Sequence, residues 1–97
     1  MKKRANKQER EYMSQVAEIG CIVCELFFDA HGTPAELHHI TKTSGFGARA
    51  KHTEVIPLCH MHHRTGGHGV AVHAGVNTWE EKFDTQQNLL KIVNERV

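Results

Sequence analysis

The sequence predicts a small single domain of the α+β class, in which a zinc knuckle and flanking helices surround a two-stranded hairpin. Three observations indicate this fold. Apolar residues recur at helical spacing near both ends of the chain, and two short β-prone runs flank a polar, glycine-containing loop between them. Cysteine and histidine pairs also recur at the spacing of zinc ligands. A chain of 97 residues buries a modest share of its surface, so a bound metal is an expected source of stability.

The start of the chain is basic, although the whole chain has a net charge of only +1. We assign residues 1–6 to a basic N-terminal arm and residues 7–97 to the main domain. The arm has the charge to touch phosphates. Charge alone favours the alternative, a solvated and frayed terminus.

The first predicted helix covers residues 7–19, where Tyr12, Val16 and Ile19 follow helical spacing and Gly20 ends the pattern. The next segment, CIVCELFF at 21–28, is too apolar for loose coil. We predict that it forms a knuckle followed by a packed turn or a short strand.

The two predicted strands form the middle of the domain. The first covers residues 36–40, after a turn at 32–34, and the second covers EVIPLC at 54–59, where Pro57 is expected to close it. The loop between them is polar and contains glycine. Because a two-stranded hairpin is marginal in water, other elements must hold it in place.

Three helical segments are predicted after the hairpin. HMHHRT opens a helix directly after the second strand. Asn77 stands three residues before Glu80, which is the spacing of a capping box and predicts the start of a second helix. This second helix carries Trp79 and Phe83 as core residues. The last helix covers about residues 85–95. Its buried face is formed by Leu89, Leu90, Ile92 and Val93.

The strongest motif is a C-x2-C pair followed, after 34 residues, by C-x2-H: Cys21, Cys24, Cys59 and His62. Two residues between ligands let a tight turn point both side chains at one ion, and three cysteines with one histidine fill a tetrahedral Zn2+ site. Two alternatives are that the cysteines are small buried hydrophobes or a redox pair. The spacing and the number of ligands favour structural zinc.

The neighbouring histidine, His63, requires a different explanation. Adjacent residues on a helix point about 100 degrees apart, so His62 and His63 cannot easily share one small ion. The adjacent pair His38 and His39 in ELHHI is a candidate partner for His63. Neighbouring side chains of a strand point to opposite faces, but a bulge or a strand end can turn both to one cleft, so alternation does not settle this pairing.

These residues resemble the HNH endonuclease motif, the ββα-metal finger in which a hairpin and a following helix hold one divalent cation. The similar runs are LHHI and EVIPLCHMHHR, separated by the glycine-containing loop. The resemblance implies that His38 is the first metal ligand, that His39 is the general base and that His63 is the ligand from the helix. The cysteine set matches the zinc site that many such enzymes carry.

Two positions depart from the HNH pattern. Glu54 stands where an asparagine is usual, and His62 replaces the commoner fourth cysteine. A glutamate can accept the proton on the far ring nitrogen of His39 and fix its tautomer. We therefore assign Glu54 to the catalytic group together with His39.

A wider resemblance extends over about residues 15–90. The strings GCIVC, GTPAELHHI, IPLCHMHHRTGGHGVAVHAG and TWEEKF are similar to the RecA-dependent nuclease family of phage recombination enhancement functions. This resemblance implies a DNA substrate and a RecA filament on single-stranded DNA as a partner. The sequence leaves open whether the substrate is single-stranded DNA, a duplex or a displacement loop.

The third protein ligand of the second metal is predicted to be His73, with His68 as the alternative. Either histidine, alone in a glycine-rich loop, is also compatible with a simple surface side chain. His31, His52 and His60 are interpreted as surface or hydrogen-bonding residues. The basic residues near the predicted metal that are candidates for holding DNA phosphates are Arg49, Lys51 and Arg64.

The predicted activity is metal-dependent hydrolysis of DNA phosphodiesters, with water activated by His39. The resemblance implies Mg2+ or Mn2+ at the active site, and a histidine site also accepts Zn2+ or Ni2+. The alternative function is a zinc-stabilised DNA- or protein-binding module with an inactive HNH-like core. No apolar run is long enough to span a membrane, so we expect a cytoplasmic monomer with no membrane partner.

Overall fold

The computed structural model describes residues 4–40 and 53–97. Across these ranges four α-helices and a two-stranded antiparallel sheet form a small α+β fold, which confirms the predicted class. None of the described helices is both long and apolar enough to cross a membrane. The elements are α1 (Lys7–Ile19), α2 (Ile22–Phe28), β1 (Glu36–His39), β2 (Val55–Leu58), α3 (Val76–Lys82) and α4 (Gln86–Arg96), with a π-helical turn at Met61–Thr65 and a 3-10 turn at Val72–Ala74.

Helix α1 has the predicted bounds because a capping residue stands at each end. The Asn6 side chain accepts a hydrogen bond from the Glu9 backbone N–H, and the Glu9 side chain accepts one from the Asn6 N–H, each at 2.8 Å. This reciprocal capping box starts the helix at Lys7. Gly20 then ends it with a positive φ of 85°.

The prediction for CIVCELFF is wrong, because residues 22–28 form helix α2. Cys21 caps this helix, with its Sγ accepting from the Cys24 N–H at 3.4 Å. Asp29 ends the helix in the left-handed region at φ 53°. The two cysteines whose spacing was interpreted as a knuckle therefore lie at the start of a helix, Cys21 as its cap and Cys24 in its first turn.

The hairpin has a regular register, with Glu36 opposite Leu58 and His39 opposite Val55. The expectation that Pro57 closes β2 is wrong, because Pro57 lies inside the strand opposite Leu37. The Ile40 N–H donates to the Glu54 carbonyl at 3.1 Å. Since bonded and non-bonded pairs alternate in an antiparallel ladder, the Leu37–Pro57 pair is non-bonded, and proline forfeits no ladder bond there.

The helix predicted directly after β2 is present as the π-helical turn Met61–Thr65, in which the Gly66 N–H donates to the Met61 carbonyl at 3.0 Å. The predicted capping box at Asn77 is wrong. Helix α3 starts two residues earlier than that cap would imply, at Val76, without a side-chain cap. It starts there because Gly75 both closes the preceding 3-10 turn and accepts from the Trp79 N–H at 3.1 Å.

Helix α4 agrees with the predicted last helix and begins after Thr85, whose hydroxyl accepts from the Asn88 N–H at 3.1 Å. Leu89 and Val93 are fully buried, and Leu90 and Ile92 pack at the margin of the core. Trp79 is also fully buried, as predicted for a core residue, and Phe83 packs against the core.

Strand β2 is the centre of the core. All four of its residues are buried, and it contacts α1, α2 and α4 as well as β1. The helices therefore supply the packing that a two-stranded hairpin lacks on its own. The buried apolar residues around it include Val16, Ile22, Val23, Val72, Trp79, Leu89 and Val93.

The link from α1 to α2 passes very close to the turn before β1. A Cβ atom added to Gly20 would lie 2.8 Å from Cα of Gly32, and the next residue, Cys21, donates its N–H to the Thr33 carbonyl at 2.9 Å. Gly20 has φ 85° and ψ 177°, a region that is essentially restricted to glycine. This contact fixes the position of Cys21 relative to the hairpin.

Substituting Gly20 by Ala is expected to lower the free energy of unfolding by about 3 kcal/mol, because backbone strain and overlap with Gly32 add together. Gly32→Ala is the matched control. Gly32 also has a positive φ, but open space surrounds its added Cβ, so its loss should be about 1–2 kcal/mol. Urea unfolding of both variants measures the difference, and equal losses would show that the close approach to Gly32 contributes nothing.

Candidate metal centres

Three cysteines and one histidine bring their ligand atoms together between α2, the end of β2 and the π-helical turn. The ligand atoms of Cys21, Cys24, Cys59 and His62 all lie within 4.8 Å of one another. Nδ1 of His62 is 3.6, 3.5 and 3.2 Å from the three sulfurs in that order, and the sulfurs of Cys24 and Cys59 are 3.8 Å apart. We call this group the cysteine centre.

These spacings fit one tetrahedral ion. With bonds of about 2.3 Å to sulfur and 2.05 Å to nitrogen, a tetrahedral Zn2+ places two sulfurs about 3.8 Å apart and a sulfur and a nitrogen about 3.6 Å apart. Burial and the neighbouring thiols raise the pKa of Cys24 to about 12, and burial raises that of Cys21. A bound metal ion supplies the nearby positive charge that Cys21 and Cys24 need to ionise.

Two aromatic rings shield the imidazole of this centre. The Phe28 ring stacks on the His62 ring at 5.6 Å between centroids, and Phe83 meets it edge-on at 5.3 Å. His62 is buried, and this burial lowers its pKa, so the ring is held in the neutral form that binds metals. Phe28 therefore has a structural role even though it is 58% exposed.

A second group lies on the other side of the same turn. The ligand atoms of His38, His63 and His73 also lie within 4.8 Å of one another. Nε2 of His63 and Nε2 of His73 are 2.9 Å apart, and the His38 ring meets both of the other rings edge-on at 5.2 and 5.1 Å. We call this group the histidine cluster. His38 comes from β1, His63 from the π-helical turn and His73 from the 3-10 turn.

Exposure increases across the histidine cluster. His38 is buried, His63 is half-buried and His73 is exposed. The cluster therefore opens to solvent on the His73 side. Three protein ligands also leave coordination positions for water or substrate, whereas the cysteine centre already has four ligands.

Two hydrogen bonds fix which ring nitrogens remain for a metal. Nε2 of His38 is bonded to Oε1 of Gln86 at 2.8 Å, so Nδ1 of His38 remains. Nδ1 of His63 is bonded to Oε1 of Glu36 at 2.8 Å, so Nε2 of His63 remains. The two carbonyl or carboxylate partners act as acceptors, and each imidazole donates its N–H.

Glu36 also forms an ion pair. Arg64 donates to its carboxylate through Nε at 2.9 and 3.2 Å and through Nη2 at 2.6 Å. The hydrogen bonds from Arg64 and His63 lower the pKa of Glu36 to about 2. The carboxylate is therefore ionised over the physiological pH range and holds both neighbours in place.

The histidine cluster is uncharged in its buried part at neutral pH. Burial lowers the pKa of His38 to about 4, although the bond to Gln86 opposes that shift. Burial and the charge of His63 lower the pKa of His73. A neutral imidazole has a free lone pair, so these shifts favour metal binding over proton binding at pH 7.

His39 and Glu54 lie beside the histidine cluster and not within it. The regular register places His39 opposite Val55, and Glu54 opposite Ile40, so the bulge that was considered for His39 does not occur between residues 36 and 39. His39 is exposed while His38 is buried, and its charge lowers the pKa of His38, so the two rings are electrostatically coupled.

Two other histidines that were singled out in the sequence, His60 and His68, lie outside both groups. The His68 ring packs against Gly75 and is outside the histidine cluster, which contains His73. His60 is exposed and bonds through Nδ1 to the Thr65 hydroxyl at 2.8 Å. Arg49, Lys51 and His52 lie outside the described residues, as do the first three residues of the basic arm.

Two residues of the site were not predicted from the sequence. Glu36 had a usable signal, because residues 36 and 38 of a strand point to the same face and Glu36 precedes His38 by two positions. Gln86 had none, because it lies 48 positions from His38 and has no motif around it.

A comparison with protein families supports an enzymatic role. The model of a family described as recombination enhancement, RecA-dependent nuclease, matches residues 5–97. The match includes every member of the cysteine centre and of the histidine cluster. No curated protein matches the chain. The family is named for nuclease activity and for RecA, which supports an enzyme acting on nucleic acid in general, with DNA and RecA as the suggested partners.

His62 and His63 are adjacent, yet their loss should have different effects. His62→Ala removes one of four ligands and two ring contacts, so we expect the free energy of unfolding to fall by about 3 kcal/mol or more, given the large share of stability that bound metal gives small domains. His63→Ala should cost about 1 kcal/mol, the value of the hydrogen bond to Glu36. Thermal unfolding of both variants measures this, and equal destabilisation would contradict the division into two groups.

Metal removal should distinguish the two groups as well. We expect a weak chelator to strip the histidine cluster first, because it offers three ligands and is open to solvent, while the cysteine centre keeps its ion. Metal content by mass spectrometry against chelator strength, with unfolding followed in parallel, tests this. Unfolding in step with the first ion released would show that the two groups are not independent.

Proposed function

The chain belongs to the recombination enhancement, RecA-dependent nuclease family, and on that basis we propose that it is a metal-dependent endodeoxyribonuclease of the HNH type. The observation that carries the proposal is the histidine cluster, an open set of three ligands beside a hairpin. The cysteine centre is proposed to hold structural Zn2+, which fits its four spacings.

The connectivity of the elements supports the HNH type. One ligand comes from β1 and the second from the helical turn that follows β2, so β2 lies between them in sequence. This order of strand, strand and helical turn is the order of the ββα-metal motif that LHHI and EVIPLCHMHHR resemble. The departures from that motif are Glu54 and His62, and His62 is accounted for by the cysteine centre.

The donor set bears on the active-site metal. Imidazole nitrogens suit Zn2+, Ni2+ and similar ions, whereas Mg2+ prefers oxygen ligands. We therefore propose Zn2+, Ni2+ or a similar late transition metal at His38, His63 and His73, rather than the Mg2+ or Mn2+ that the family resemblance implies. When bound, the metal neutralises charge on the scissile phosphate and on the departing oxygen.

His39 is proposed as the general base. It is exposed and follows the cluster residue His38, and a neutral imidazole is suited to taking a proton from water near pH 7. The water oxygen attacks phosphorus, His39 receives the water proton, and the bond from phosphorus to the 3' oxygen breaks. The departing oxygen takes a proton from solvent, so the products carry a 5' phosphate and a 3' hydroxyl.

Glu54 is proposed to orient the His39 ring. It precedes β2 and lies opposite Ile40, the residue that follows His39, so it stands at the strand end next to Val55, the partner of His39. Because Glu54 lies outside the strand, the alternation of faces does not fix the direction of its side chain. A carboxylate there would hold the tautomer that presents the free nitrogen to water.

RecA is proposed to deliver the DNA. Arg64, the basic residue of the π-helical turn, is already paired with Glu36 and has little charge left for a phosphate. A filament on single-stranded DNA would bring the phosphodiester to the cluster without strong direct binding by this chain. Sequence preference would then come from the filament.

His39→Ala should lower the rate of DNA nicking by about 100- to 10,000-fold, the range for loss of a general base, and should leave the unfolding temperature and both metals unchanged. The assay uses supercoiled and single-stranded DNA, with and without RecA filaments, across Zn2+, Ni2+, Mn2+, Mg2+ and no metal. His60→Ala is the matched control, since His60 is also exposed and lies in neither metal group.

The same assay separates the proposal from the alternative, a binding module with an inactive core. Nicking by the parent that depends on RecA and on a metal supports the nuclease. No nicking under any condition, together with DNA or RecA binding, would favour the module. A His39→Ala variant that cuts as fast as the parent would remove His39 from the mechanism.

A further inference from the structure

Gln86 is a fully buried polar residue at the first position of helix α4. Its backbone N–H donates to Oε2 of Glu80 at 2.8 Å, and the Thr85 cap fixes the same turn. Leu89, one turn further along α4, is fully buried in the core. The hydrogen bond to Glu80, the Thr85 cap and the burial of Leu89 therefore fix the position of the Gln86 backbone.

The side chain of Gln86 reaches the histidine cluster. Its Oε1 lies 2.8 Å from Nε2 of His38, which is itself 3% exposed. A carbonyl oxygen has no proton to give, so His38 must donate from Nε2, and its lone pair is on Nδ1. In water, either tautomer of a neutral histidine would be available.

At His63 a hydrogen bond also fixes the tautomer, but it leaves the other ring nitrogen for an ion. Glu36 accepts from Nδ1 of His63, which leaves Nε2 for an ion. Two rings in one cluster thus present different nitrogens, and two acceptors from different elements enforce that pattern. The acceptor for the exposed side is a carboxylate paired with Arg64, whereas the acceptor for the buried ring is a neutral amide. Burying an unpaired carboxylate would cost much more than burying an amide.

We propose that Gln86 is a positioning residue for the histidine cluster, which selects the His38 tautomer with Nδ1 open to a divalent transition metal. The inference rests on the proposed function, because it assigns the cluster a metal. It makes the first turn of α4 part of the metal site. Packing of α4 in the core thereby determines how His38 is presented.

The test uses three variants of the full chain. Gln86→Leu has a similar volume and no acceptor. Gln86→Glu keeps an acceptor at the same place. Gln87→Leu makes the same change at the next position, which is exposed. With the cysteine centre loaded with Zn2+ beforehand, the dissociation constant for Co2+ at the cluster is measured from visible absorption, and nicking is measured in parallel.

Gln86→Leu should bind Co2+ about 10- to 100-fold more weakly, as is usual when the partner of a ligating histidine is removed. Gln86→Glu keeps an acceptor at the cost of a buried carboxylate, so it should bind Co2+ more tightly than Gln86→Leu but less tightly than the parent, and Gln87→Leu should not change the affinity. Equal Co2+ affinity in the parent and Gln86→Leu would overturn the inference, as would a parent that binds no Co2+ outside the cysteine centre. Weaker Co2+ binding in Gln86→Leu with no nicking by the parent would instead remove the proposed function and leave the role of Gln86 intact.

Nitrogen NMR of the parent supplies a test that does not depend on a substitution. In the protein with the cysteine centre loaded and the cluster free of metal, the His38 ring should carry its proton on Nε2. A His38 ring protonated on Nδ1 would overturn the inference even if Gln86→Leu failed to fold. A merely structural role for Gln86 would change stability without fixing this tautomer.

Discussion

The meeting of three thiols and one imidazole is the constraint on which the rest of the structure depends. Cys21 caps α2, Cys59 directly follows β2 and His62 is the second residue of the π-helical turn. One ion bound by these atoms would link three segments of the chain that otherwise contact one another through a small hydrophobic core. The close approach of Gly20 to Gly32 sets the same geometry from the backbone side, since it places Cys21 against the turn before β1. A small domain gains much of its order from such a tie.

This tie also positions the second group. His62 and His63 are consecutive, so fixing His62 at the cysteine centre fixes the direction in which His63 leaves the turn. The His63 N–H donates to the Cys59 carbonyl at 2.9 Å, which joins the backbone of one group to that of the other. One turn thus supplies a closed centre on one side and an open cluster on the other. The close spacing of Cys59, His62 and His63 in the sequence is explained by two groups that share one turn.

The extent to which the sequence predicted this arrangement depended on how local each signal was. Helices α1 and α4 and the four members of the cysteine centre follow from periodicity and spacing within a few residues. Helix α2 was missed because a seven-residue apolar run does not show a period, and the interpretation followed its cysteines instead. The capping box at Asn77 failed because Gly75 starts α3 by continuing from the 3-10 turn.

The partners of the histidines show the limit of sequence reasoning more clearly. Glu36 lies on the same strand face as His38 but accepts a hydrogen bond from His63. The alternation of side chains therefore indicated that Glu36 lies near the cluster, but not which histidine ring it would bind. Gln86 becomes part of the cluster only because α4 packs against β2, a contact that no motif encodes. The ligands themselves are marked by residue type, since few side chains bind metals. The residues that orient them are ordinary glutamates and glutamines, and they become recognisable once the fold has brought them within 3 Å of a ring nitrogen.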